Sequence, residues 1–87
     1  MNVGVWDTYV TKKDGSVMHF DIIVPEQITS VDMIYGYGKA YLKSKSQEGQ
    51  PITSKECQFC HFQNSKELWE SDILQQGYYI FEMENCT

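Results

Sequence analysis

The sequence predicts an α+β fold: a two-layer sandwich with a mainly antiparallel sheet of three to four strands and two helices on one face, in the order β-β-α-(β)-α-β. Three observations predict it. Two alternating segments flank Asp14-Gly15, apolar residues recur at helical spacing over residues 31–42, and residues 78–83 form a closing run of strand formers. The 87 residues make a single domain, 1–87, that buries only ~60–65% of its unfolded surface. With 41% hydrophobic and 14% aromatic residues, the composition is that of a packed globule rather than a disordered chain.

The first 24 residues read as a β-hairpin. Val3, Val5, Asp7, Tyr9 and Thr11 alternate with Gly4, Trp6, Thr8 and Val10, and Asp14-Gly15 is a hairpin-turn signal. The returning strand, residues 16–24, stops at Pro25, which cannot donate to a ladder. A two-residue or a four-residue loop gives one and the same facing. Val3, Val5, Asp7, Tyr9 and Thr11 then share the core face with Met18, Phe20, Ile22 and Val24. The outer face carries Gly4, Trp6, Thr8 and Val10 with Val17, His19, Asp21 and Ile23.

Residues 30–45 read as a helix. Val31, Ile34, Tyr35, Gly38, Tyr41 and Leu42 form one stripe, Thr29 or Ser30 caps the start, and Lys39, Lys43 and Lys45 suit the C-terminal end of the dipole. Gly38 on the stripe predicts close approach to the sheet. Residues 44–53 are a polar loop, and residues 55–62 fit either a short strand or a metal-binding knuckle. Asn64 with Glu67 suggests a capping box for a second helix that Gly77 ends. Residues 78–83 are apolar on both faces, which predicts an interior strand. The expected core contains Val5, Tyr9, Phe20, Ile22, Tyr41, Leu42, Ile73 and Ile80.

Seven lysines against twelve acidic residues, with no arginine, give a net charge of −5 and argue against nucleic-acid binding. No apolar run reaches 18 residues, so no membrane span is expected. The opening residues lack a basic then apolar signal pattern, which sets a cytoplasmic location as the expectation.

Cys57-Gln58-Phe59-Cys60-His61 is the sharpest motif. Its spacing matches a haem attachment sequence, a redox pair, or one limb of a zinc site. Haem would need export and a helical shell. The redox reading lacks a helix starting at the first cysteine. Zinc would need Cys57 and Cys60 joined by Cys86 and His61, with His19 as the alternative ligand, and would require the segment to turn. Cysteines also serve as small buried hydrophobes, which asks nothing further of them.

Asp7 on the core face is an anomaly, because an inward carboxylate is costly unless paired. It and His19 are the catalytic candidates. Thr8, His19 and Asp21 on the outer face suggest an acid–base pair or a wet surface. Trp6, Val10 and Ile23 make that outer face more apolar than water requires, and this predicts a two-fold homodimer with Trp6 at the contact.

The residues Val5-Trp6-Asp7-Thr8-Tyr9-Val10, Met18-His19-Phe20-Asp21, Glu48-Gly49-Gln50-Pro51, Thr53-Ser54-Lys55-Glu56-Cys57, Cys60-His61 and Gly77-Tyr78-Tyr79-Ile80 resemble, in combination, a small bacterial family. It is the family catalogued as domain of unknown function two-thousand-and-twenty-four. The resemblance covers nearly the whole chain and implies a compact one-domain α+β bacterial protein, without an activity to carry over. Function therefore has two main readings, a metal- or thiol-containing accessory module and a non-catalytic interaction module that self-associates or docks a protein. A small hydrolase or isomerase using Asp7 or His19 is a third.

Overall fold

The computed structural model describes all residues, 1–87. Strand β1 (Asn2–Thr11) and strand β2 (Val17–Pro25) pair antiparallel from Thr11↔Val17 to Val3↔Pro25. The Lys12 N–H donates to Ser16 O at 2.7 Å, and the Gly15 N–H to Lys12 O at 2.9 Å, with Gly15 at φ +91°. The loop is thus three residues, Lys13-Asp14-Gly15, a tight turn followed by a left-handed glycine. Asp14 Oδ1 braces it by accepting from the Ser16 N–H at 2.9 Å and the Ser16 hydroxyl at 2.7 Å.

A three-residue loop reverses the parity expected from two- or four-residue loops. Val3, Val5, Asp7 and Tyr9 share a face with His19, Asp21 and Ile23, while Trp6, Thr8 and Val10 share the other with Met18, Phe20, Ile22 and Val24. The predicted facing is corrected accordingly. Tyr9, expected in the core, is 43% exposed, whereas Val10 and Ile23 are buried, and on opposite faces. The apolar patch of Trp6, Val10 and Ile23 around His19 therefore does not exist.

Helix α1 (Val31–Ser44) begins at Ser30, whose Oγ accepts from the Met33 N–H at 3.4 Å. Its buried stripe, Ile34, Gly38, Tyr41 and Leu42, packs with Met18, Phe20, Ile22 and Val24. A Cβ on Gly38 would lie 2.7 Å from Ile52 Cδ1 and 3.1 Å from Ile22 Cδ1. The close approach predicted for that glycine is present.

Strand β3 (Cys57–Asn64) pairs antiparallel with β1, and a bulge at Cys60 shifts the register between Val5↔His61 and Trp6↔Phe59. Helix α2 (Glu67–Gln76) starts after Lys66 without a side-chain cap; Asn64, the expected cap, is still in β3 opposite Asn2. Gly77, at φ +97°, ends α2 by donating to Ile73 O at 2.9 Å. Strand β4 (Tyr79–Glu84) then pairs antiparallel with β2.

The sheet is four-stranded, antiparallel throughout, in the order β3-β1-β2-β4. The sheet differs from the expectation in two respects. The helices lie on opposite faces rather than one, because α2 buries Trp69 and Ile73 against Val3, Val5 and Ile23 on the face away from α1. Strand β4 is an edge strand rather than an interior one. It is apolar on both sides because Tyr79 and Phe81 meet Trp69 of α2 while Ile80 joins the α1 core. No helix is long and apolar enough to cross a membrane.

Replacing Gly38 by leucine should destabilise the protein by ~1–3 kcal/mol, since the side chain has no room between Ile52 and Ile22. Urea unfolding checks this, and an unchanged midpoint would place the helix–sheet contact elsewhere.

Candidate functional site

The hairpin register sets Asp7 directly opposite Asp21 and Tyr9 opposite His19, on the face that α2 covers only in part. Directly opposed side chains start about 5 Å apart at Cβ, so the backbone itself forces two carboxylates together. His19, two residues before Asp21, reaches across, and its Nε2–H donates to Asp7 Oδ1 at 2.6 Å. The Tyr9 ring lies over the imidazole with centroids 4.0 Å apart. One ligand atom from each of Asp7, His19 and Asp21 lies within 4.8 Å of the other two.

The charge at this cluster is unbalanced. The ion pairs of the two lysines that make them lie elsewhere, Lys13 with Glu48 at 3.3 Å and Lys45 with Glu82 at 2.9 Å. Burial, then the hydrogen bond and charge of Asp7, push the Asp21 carboxyl up to about 6, against the attraction of His19 and His61. Desolvation and the charges of Asp7, Glu84 and Asp21 hold the Tyr9 hydroxyl above its usual range. A proton shared among these acids, or a cation, is what the arrangement favours.

Beside the cluster lies a pocket of about 200 Å³. Val5 and Ile23 form its floor, Trp69, Phe81 and Met83 its apolar walls, and His61, Gln63 and Lys66 its polar side. Asp21 belongs to both pocket and cluster. A larger hollow, about 410 Å³ between Lys39, Lys43 and the loop from Glu48 to Thr53, brings no ligating set together.

The cysteines are dispersed. Cys57 is buried on β3 beneath α1, where burial pushes its thiol up. Cys60 is exposed at the bulge with Sγ 3.1 Å from His61 Nδ1, and His61 Nε2 bonds Gln63 Oε1 at 2.6 Å. Cys86 is buried against β2, its thiol 3.2 Å from Glu84 O and 3.5 Å from His19 O. All three thiols are free. The expected zinc set of Cys57, Cys60, Cys86 and His61 does not converge, because residues 57–64 pair as a strand and β1 separates Cys57 from Cys86. His19, the alternative ligand, lies instead in the carboxylate cluster.

Asp7 and His19, placed on opposite faces by the sequence reading, are hydrogen-bonded partners. Asp7 is no inward anomaly, since its side chain is 40% exposed. Thr8, expected beside His19, is fully buried on the other face with Oγ1 3.2 Å from Trp6 O. Asp21, named beside His19 as half of an acid–base pair, was not among the expected metal ligands. The two-residue spacing of His19 and Asp21 put them on one face, and only the turn length brings Asp7 to join them.

The chain matches the family model described as Domain of unknown function (DUF2024) over residues 1–83, and it belongs to that family. It is similar to protein NE1680 from Nitrosomonas europaea, solved by NMR, with 39% identity, full coverage of both chains and a TM-score of 0.86. No curated protein matches it. The NMR structure shares the α+β fold, and neither match assigns a function.

The crowding of Asp21 has a measurable consequence. The folded chain keeps the Asp21 proton up to about pH 6, whereas an unfolded aspartate releases it near ~3.9. The native state thus binds the extra proton between these values, and stability should fall as pH rises from ~4 to ~6. Asp21→Asn should remove that slope and stabilise the protein at pH 7 by ~1 kcal/mol, allowing for the solvent that screens a half-exposed group. Urea titrations at pH 4.5 and 7 check it, and equal slopes for both chains would show that burial and Asp7 do not raise the Asp21 carboxyl.

Proposed function

We propose that this chain is a small metal-binding protein that holds a divalent ion of the zinc class on Asp7, His19 and Asp21. The observation that carries the reading is their convergence within 4.8 Å on rigid central strands, with no lysine paired to either carboxylate. Imidazole nitrogen with carboxylate oxygen is a zinc-type donor set, and three protein ligands leave a fourth position open for water or a ligand.

The ion takes the place of the shared proton. Donors about 2.1 Å from a tetrahedral ion stand roughly 3.4 Å apart, so the 2.6 Å contact between His19 Nε2 and Asp7 Oδ1 opens by under ~1 Å. The imidazole changes tautomer, its proton passing from Nε2 to Nδ1, and Asp21 must be ionised, so loading weakens as pH falls through about 6. The three free thiols fit a reducing, cytoplasmic setting.

Zinc calorimetry on protein purified without a histidine tag tests the proposal. One ion should bind at pH 7.5 and markedly more weakly at pH 5, and His19→Ala or Asp21→Asn should weaken it roughly tenfold or more while Cys60→Ser leaves it unchanged. Binding that survives both cluster variants, or that is lost with Cys60, would overturn it.

A second reading rests on the outer edge of β3, where Phe59 and Phe62 are 44% and 56% exposed on an edge strand. For self-association, this edge is the surface that serves a second copy. Sedimentation should then show a dimer that Phe62→Lys converts to monomer, and a monomer for both chains would remove this reading.

A further inference from the structure

The pocket beside the cluster has an end that the metal reading leaves unexplained. Trp69 is 4% exposed and anchors α2 over Val5 and Ile23, yet Phe81 and Met83 remain 39% and 42% exposed along the same hollow. Trp69 and Phe81 meet edge to face, at 83° with centroids 6.4 Å apart, and both line the pocket. An apolar cavity of about 150 Å³ holds benzene. At about 200 Å³ this one has room for a single ring and a small substituent.

Its polar groups define the substituent. Lys66, whose ammonium lies 5.3 Å from the Trp69 ring centroid, and His61 line the pocket on one side. Asp21 lines it too, and Asp21 is shared with the metal cluster. An ion held by Asp7 and Asp21 neutralises both carboxylates, which leaves the Lys66 ammonium to set the sign. The favoured head group is then a single negative charge on oxygen, able to occupy the open metal position. Without the ion, the Asp21 carboxylate repels such a group.

We infer that the pocket binds a compact aromatic monocarboxylate, its ring against Trp69, Phe81 and Met83 and its carboxylate toward the ion on Asp7, His19 and Asp21. This rests on the metal reading and adds the ligand class of the same site. The ring provides the apolar contact that Phe81 and Met83 lack, and the carboxylate makes binding depend on the ion.

Benzoate is the probe. Trp6→Phe leaves Trp69 as the sole tryptophan, and the Met83 methyl resonance reports the same pocket in the wild-type chain. In zinc-loaded protein at pH 7.5, benzoate should perturb both signals with a Kd in the millimolar range, as expected of so small a ligand. Removing zinc should weaken it at least about tenfold, the sign of a head group held by the ion. Phe81→Ala should weaken benzoate while zinc affinity, measured separately by calorimetry, stays unchanged. Zinc that binds while both signals stay unmoved at about 50 mM benzoate, well above the millimolar Kd, overturns this inference alone. Failure of zinc to bind overturns the metal reading and this with it. Benzoate binding equally well without zinc, or benzylamine binding better without it, shows that the head group does not meet the ion and overturns the inference.

Discussion

Gly15 at φ +91°, with its N–H on Lys12 O, holds the hairpin loop to three residues, and this sets which side chains of β1 and β2 share a face. A loop one residue shorter or longer would turn one strand's side chains over relative to the other's. With this loop, Val10, Met18, Phe20, Ile22 and Val24 form one apolar surface and Val3, Val5 and Ile23 a second on the reverse. Two apolar surfaces require two covers. The fold therefore places α1 on one face and α2 on the other, and the edge strand β4, flanked by both helices, is apolar on each side.

The same parity assembles the acidic row. Like charges set directly opposite one another in a sheet cost roughly 0.2–1 kcal/mol, and Asp7 opposite Asp21 is such a pair in the middle of the central hairpin. A sheet built for stability alone would place a threonine or an opposite charge there. Local conflicts of this kind concentrate at functional sites, where the surrounding structure over-determines them. Here the constraint comes from the central hairpin, whose strands have neighbours on both sides. The cluster stands on rigid elements rather than on loops, as a ligating site requires.

Much of the fold was legible. The hairpin, α1 with its Ser30 cap, the Gly38 contact and the Gly77 stop each have a local chemical signature that the structure realises. Parity was not legible, because Asp14-Gly15 suits two-, three- and four-residue loops alike, and nothing local distinguishes them. That single ambiguity misplaced Tyr9 and Val10, produced an apolar patch that is absent, and kept Asp7 apart from His19. The placement of α2 was hidden for a related reason. It contributes only Trp69 and Ile73 as buried residues, too few to reveal which face they cover. The cysteine motif misled through spacing alone; the bulge at Cys60 shifts the register without folding the strand back on itself.

The position of the open site follows from the dimensions of α2. The chain leaves β3 at one edge of the sheet and enters β4 at the other, so α2 must carry it across three strand gaps of about 4.8 Å each. Ten residues of helix are ~15 Å long, which matches that crossing. A helix is only about 10 Å wide, whereas a strand of nine or ten residues extends ~30 Å. One such crossing covers a single end of the sheet, the end with Val3, Val5 and Ile23. The other end of that face must meet solvent or a ligand, and it is the end where the sequence places Asp7, Tyr9, His19 and Asp21. The pocket at the boundary, apolar beneath Trp69 and acidic at Asp21, arises because one helix laid across the strands is too narrow to cover both ends.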